Sequence, residues 1–152
     1  MDIKLKESLI RLAMQEAEKA ISSGNSPFGA VLVDGDGNVI QSAHNLTNST
    51  NDSTAHAEIM LIRNVGKKFF TKDLSGYSIF ANSESCSMCM AAMIRAGITR
   101  IYYGADMEQH TNPYIRAEEF KSKTKENLKL EGGILAEQCR IQIENARLKN
   151  QN

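Results

Sequence analysis

Apolar positions recur along the chain with two periods. Leu5, Leu9, Leu12, Ala13, Ala17, Ala20 and Ile21 fall at helical spacing, which predicts an amphipathic helix that stops near Gly24. Two short apolar runs, 29–33 and 39–43, flank Asp34-Gly35-Asp36-Gly37 and read as a β-hairpin. The polar stretch from Asn45 to Ser53 is too long for a tight turn and reads as a loop. A second helix is expected over 54–68 with Thr54 as its N-cap. A strand at 78–81, a small-residue helix at 86–96 and a strand at 100–103 follow. Residues 104–127 read as a loop plus one helix and 128–130 as an edge strand, while Leu135, Cys139, Ile143 and Ala146 give a last helix its apolar stripe. This order describes an α/β sandwich with one sheet between two helix layers. No repeat or linker interrupts it, so one domain over 1–152 is expected.

Composition removes several classes of function. At 152 residues and 41% apolar, the chain can build a core without disulfide or metal staples. No apolar run approaches the ~20 residues of a membrane span. No signal-type segment follows the N-terminus, so a cytoplasmic protein without a membrane partner is expected. The Asn-x-Ser/Thr triplets at Asn45, Asn48 and Asn51 then carry no meaning as glycosylation sites. Eighteen basic and eighteen acidic residues cancel, so a nucleic-acid partner would need a local patch. Three cysteines make no disulfide framework, and the pair Cys86 and Cys89 points to metal binding or catalysis.

Two short constellations carry the chemistry. The first is Thr54-Ala55-His56-Ala57-Glu58 at a helix start. A histidine standing alone reads as an ordinary surface or core residue. His and Glu two apart, however, lie about 200° around a helix, so one can hold a metal while the other faces a water or substrate. The second is Ser85-Cys86-Ser87-Met88-Cys89, whose cysteines project from one side of a first helical turn. The helix dipole there favours thiolates. Alone, a CxxC also fits a redox site or a zinc ribbon. A ribbon needs a second cysteine pair and only Cys139 remains, while disulfide exchange makes no use of His56 or Glu58. Thirty residues separate His56 from Cys86, room for a crossover that sets two helix N-termini side by side. One imidazole and two thiolates then make three ligands of a zinc tetrahedron, with the fourth place open to water. Glu58 is the spare carboxylate of the H-x-E … C-x-x-C pattern. It would act as a base towards the water at the open fourth place. Met88, Met90 and Met93 read as packing, and Cys139 as inert core.

The chain resembles the cytidine-deaminase-like superfamily, in the branch of guanine deaminases, yeast-type cytosine deaminases and tRNA adenosine deaminases. The resemblance runs through Pro27-Phe28-Gly29-Ala30-Val31, Ala43-His44-Asn45, Asn51 to Glu58, Glu84 to Cys89 and Ile101 to Gly104. It implies a three-layer α/β/α sandwich with a five-stranded mixed sheet, one zinc ion per chain and a homodimer. It also implies that the Ala57 N–H faces the base, that the Glu84 carbonyl accepts from the leaving amine, that Asn45 contacts the substrate and that Phe28 stacks on it. One departure is Ser85, where the family has proline; its hydroxyl can cap the same helix. The ranking of substrates puts first the free nucleobase or nucleoside, guanine-like or cytosine/isocytosine-like, with Asn112 standing where guanine deaminases carry aspartate. The alternative is a tRNA wobble adenosine deaminase, favoured by Ala55 to Met60 and by Gly133 to Cys139. It ranks second because Arg116 to Glu131 holds five bases against four acids and the rest of the chain from Ile134 three against two. A non-catalytic zinc-stabilised module ranks third, because Glu58 would then be idle.

Overall fold

The two periods resolve into helices on both faces of one sheet. The computed structural model describes residues 1–150. Helix α1 (Ile3–Ser22) leads into the hairpin of β1 (Gly29–Val33) and β2 (Val39–His44). A four-residue helix α2 (Thr47–Thr50) and helix α3 (Ala57–Phe69) follow, then β3 (Ser78–Ser83), α4 (Ser87–Arg95) and β4 (Arg100–Ala105). The chain ends with a 3-10 turn (Ala117–Phe120), β5 (Lys129–Glu131) and helix α5 (Ala136–Lys149). The sheet order is β2-β1-β3-β4-β5. β1 runs antiparallel to β2 and β3, while β3-β4 and β4-β5 are parallel, so the sheet is five-stranded and mixed. No described helix is long and apolar enough to cross a membrane.

Strand alternation sorts the core into two layers. Leu32, Ile79 and Ile101 face Leu61, Val65, Met90 and Met93 of α3 and α4. Their neighbours Val31, Phe80 and Tyr102 face Leu9 and Ile10 of α1 and Cys139 and Ile143 of α5. With both faces covered, all five residues of β1 are buried, which is why that strand reads as an unbroken apolar run. Met90, Met93 and Cys139 are core, as expected, and burial pushes the Cys139 thiol up to about 11, leaving it unreactive.

Gly29 shows how closely α1 lies on the sheet. A Cβ there would strike the Ala13 carbonyl, the Ala17 amide and the Glu16 side chain. Gly29→Ala must therefore lift α1 from β1, and we expect a loss of about 2–3 kcal/mol in urea unfolding; a loss below about 0.5 kcal/mol would contradict the packing.

Local expectations needed three corrections. Helix α3 starts at Ala57 with His56 as N-cap, because the Thr54 amide (2.9 Å) and hydroxyl (2.7 Å) are both spent on Asp52 Oδ1. The stretch after Asn45 is no slack loop: Asn25 Oδ1 accepts from the Asn48 and Ser49 amides at 3.0 Å each and fixes α2. The helix expected in 104–127 is only the 3-10 turn at Ala117–Phe120.

Candidate metal centre and active site

Helices α3 and α4 deliver the chemistry by their first residues. His56 and Cys86 hold the N-cap positions of the two helices, both in extended backbone, and neither makes a side-chain capping bond. Their side chains are thus left for another task. Glu58 and Cys89 follow within the first turn of each helix. Small residues allow the approach: Ala57 packs between Ala30 of β1 and Ala81 of β3. As the first helical residue, Ala57 keeps an N–H with no intrahelical acceptor. The expected cap by Ser85 is not made; its buried hydroxyl finds no hydrogen-bond partner, although it lies near the Glu58 carboxyl.

His56 Nδ1 lies 3.5 Å from Cys86 Sγ and 3.5 Å from Cys89 Sγ. A tetrahedral zinc with ordinary Zn–N and Zn–S bonds separates nitrogen from sulfur by about 3.6 Å. The donor set therefore fits one zinc ion, and the three atoms all lie within 4.8 Å of one another. With protons alone in the cluster, the Cys89 thiol donates to Cys86 and His56 stands beside it, which draws Cys86 down to about 4. The same bond and burial push Cys89 up, and the neighbouring Cys86 raises His56. A divalent ion takes the place of those protons. Glu58 stays outside this donor set, and burial raises its carboxyl pKa.

A cavity of about 300 Å³ opens beside the cluster, and its wall includes Phe28, Asn45, His56, Glu58, Glu84 and Asn112. Asn45 is committed on one side, since its Oδ1 accepts from the Thr47 amide (3.0 Å) and hydroxyl (2.8 Å). It can offer the cavity only the N–H donors of its amide. Cys89 and Ala57 lie behind the wall, fully buried.

Several working groups escaped the sequence. The Glu84 carboxylate is a staple: burial works to raise its pKa, but Arg116 (2.8–3.0 Å) and the Ala117 and Met107 amides hold it below the usual range. It fixes the segment after β4 against the site. Buried Asn82 accepts from the Gly29 amide and donates to the Pro27 carbonyl and Gln142, which sets Phe28 in the wall. Arg147 and Glu108 meet at the cavity mouth from segments 39 residues apart. No spacing rule could have found that pair.

The sequence pattern of the cytidine and deoxycytidylate deaminase zinc-binding region matches residues 3–105. A tRNA-specific adenosine deaminase of Haemophilus influenzae is 35% identical over 134 residues, 88% of this chain and 78% of that one. A chain solved in a study of A-to-I editing by tRNA:A34 deaminases at the wobble position superposes with a TM-score of 0.79. It is 32% identical over 89% of this chain and 98% of its own. The guanine deaminase of Nitrosomonas europaea gives a TM-score of 0.80 at 18% identity, covering 93% and 84%, and shares the fold alone. The ranking of a free nucleobase or nucleoside as first substrate is thus overturned, because the relatives similar in sequence are tRNA-specific adenosine deaminases.

Proposed function

The chain belongs to the cytidine and deoxycytidylate deaminase zinc-binding family, whose members are hydrolytic C–N deaminases, and we propose that its substrate is an adenosine in structured RNA, the wobble adenosine of a tRNA. The observation that carries this reading is the 35% identity to a tRNA-specific adenosine deaminase across 88% of the chain. The donor-only amide of Asn45 can meet a ring-nitrogen acceptor of adenine, as it could of any aminated base. Deamination exchanges the exocyclic amine for the oxygen of a water, giving inosine and ammonia.

His56, Cys86 and Cys89 would hold the zinc ion, which supplies Lewis acidity that makes water a nucleophile near neutral pH. Glu58 takes a proton from the attacking water on a carboxylate oxygen and hands it to the ring nitrogen beside the reacting carbon. It then takes the second proton from the hydroxyl left on that carbon and gives it to the amine, which departs as ammonia while the C=O bond forms. Its buried position matters twice: the wall excludes bulk water, and a raised pKa lets the group give the proton back as readily as it takes it. Phe28 would stack on the base and Asn112 would contact its far edge. The Glu84 carbonyl would accept from the leaving ammonia.

The test is a panel scored for ammonia and inosine: an anticodon stem-loop with adenosine at the wobble position, adenosine, guanine, cytosine and isocytosine. The stem-loop should exceed adenosine by roughly 100-fold or more in kcat/KM, since remote binding energy is spent at the reacting centre. Ammonia from a free base with none from the RNA would refute the reading.

A further inference from the structure

Outside the zinc-ligand cluster and Glu58, the cavity mouth holds one strongly basic side chain. Arg147 reaches it from α5 and lays its guanidinium 5.5 Å from the centre of the Phe28 ring. Its Nη2 and Nε donate to the two carboxylate oxygens of Glu108, at 2.9 and 3.3 Å, a side-on fork. Nη1 has no partner among the described residues. His110 Nε2 lies 3.8 Å from the same carboxylate, on the same wall. The side chains of Arg147 and Glu108 are 33% and 22% exposed, so a ligand can reach the pair from solvent.

An ion pair this accessible adds only about 0–1 kcal/mol to stability. Its place at the mouth therefore calls for a reason other than holding the fold. The guanidinium fork that binds a carboxylate in two places binds a phosphate in the same geometry. A nucleotide extruded into the cavity must leave its flanking phosphates at the mouth, whereas a free base brings no anion there. We infer, building on the proposed RNA substrate, that Arg147 binds a backbone phosphate next to the target nucleotide, and that the Glu108 carboxylate holds that place until the phosphate displaces it. The exchange is of one anion for another; no covalent bond changes. Phe28 keeps the guanidinium plane in position while the anion changes.

The consequence separates this role from a structural one, because the two halves of the pair move binding in opposite directions. The measurement is the Kd of zinc-loaded protein for a labelled anticodon stem-loop over a range of salt, with single-turnover inosine formation alongside. Arg147→Ala should weaken binding by about tenfold and reduce the slope of log K against log salt by about 0.7–0.9, one phosphate contact. Arg147→Lys should keep the slope and lose part of the affinity. Glu108→Gln should tighten binding by about three- to tenfold, and that gain should vanish on an Arg147→Ala background. Weaker binding by Glu108→Gln, or an unchanged slope in Arg147→Ala, would overturn the inference while RNA deamination by the wild type left the substrate reading intact. Wild-type protein that neither binds nor deaminates the stem-loop would overturn both.

Discussion

Glu58→Gln should keep one zinc per chain and lose deamination by about 10³-fold or more. The amide matches the carboxylate in shape but can neither carry the water proton to the ring nitrogen nor bring a second proton to the leaving amine, so both transfers fail together. The metal stays because the donor set is His56, Cys86 and Cys89, with Glu58 outside it. The substitution should not cost stability. Burial raises the folded pKa of Glu58, so the folded protein holds that proton more tightly than the unfolded chain. Its contribution is present at low pH and is lost as pH rises from the ordinary carboxylate value through the raised one. Metal-free Glu58→Gln lacks that loss and should show a flatter dependence of Tm on pH, at or above the wild type at neutral pH. Activity within tenfold of wild type would remove Glu58 from the reaction. A lower Tm at neutral pH would make it a structural residue.

What the sequence could reveal followed the range of its interactions. The meeting of His56, Cys86 and Cys89, with Glu58 in the adjoining wall, was legible because helix geometry fixes where residues two or three apart point, and the 30-residue gap suits one crossover. The sheet and its layers were legible for the same reason, since period and turn residues are local. Thr54 misled because a cap preference says nothing of a competing partner, and Asp52 takes both of its polar groups. Glu84 was singled out for its carbonyl, yet its carboxylate, bonded to Arg116 and two amides, does the visible work. The substrate was misjudged through charge counting along the chain. Such a count says nothing of which charges meet in space, and Arg147 and Glu108 meet across 39 residues.

Cys89→Ala should abolish metal retention, and chelation of the wild type should lower Tm without unfolding it at room temperature. Two of three ligands leave the ion without the neutralising thiolate pair, and the loss cannot be repaired because Cys89 is fully buried with Cys139 the only other sulfur donor of its kind, far off in the opposite layer. The fold should outlast the metal, since both core layers pack against the sheet without it. A site filled at a thousand times its Kd adds about 4 kcal/mol, and for a domain of this size each kcal/mol moves Tm by about 2–4 °C. Chelation should therefore cost the wild type roughly 8–16 °C, and Cys89→Ala should show no further drop when chelator is added. Protons give an independent readout. Burial and the bond to Cys86 raise the Cys89 thiol, so it holds a proton that the ion must displace, and the upward shift of His56 adds to the protons displaced as pH falls. Zinc titrated into metal-free protein in weak buffer should release about one to two protons per ion, and affinity should fall as pH drops. Release of none, or a Cys89→Ala protein that still carries one zinc per chain, would place the metal elsewhere.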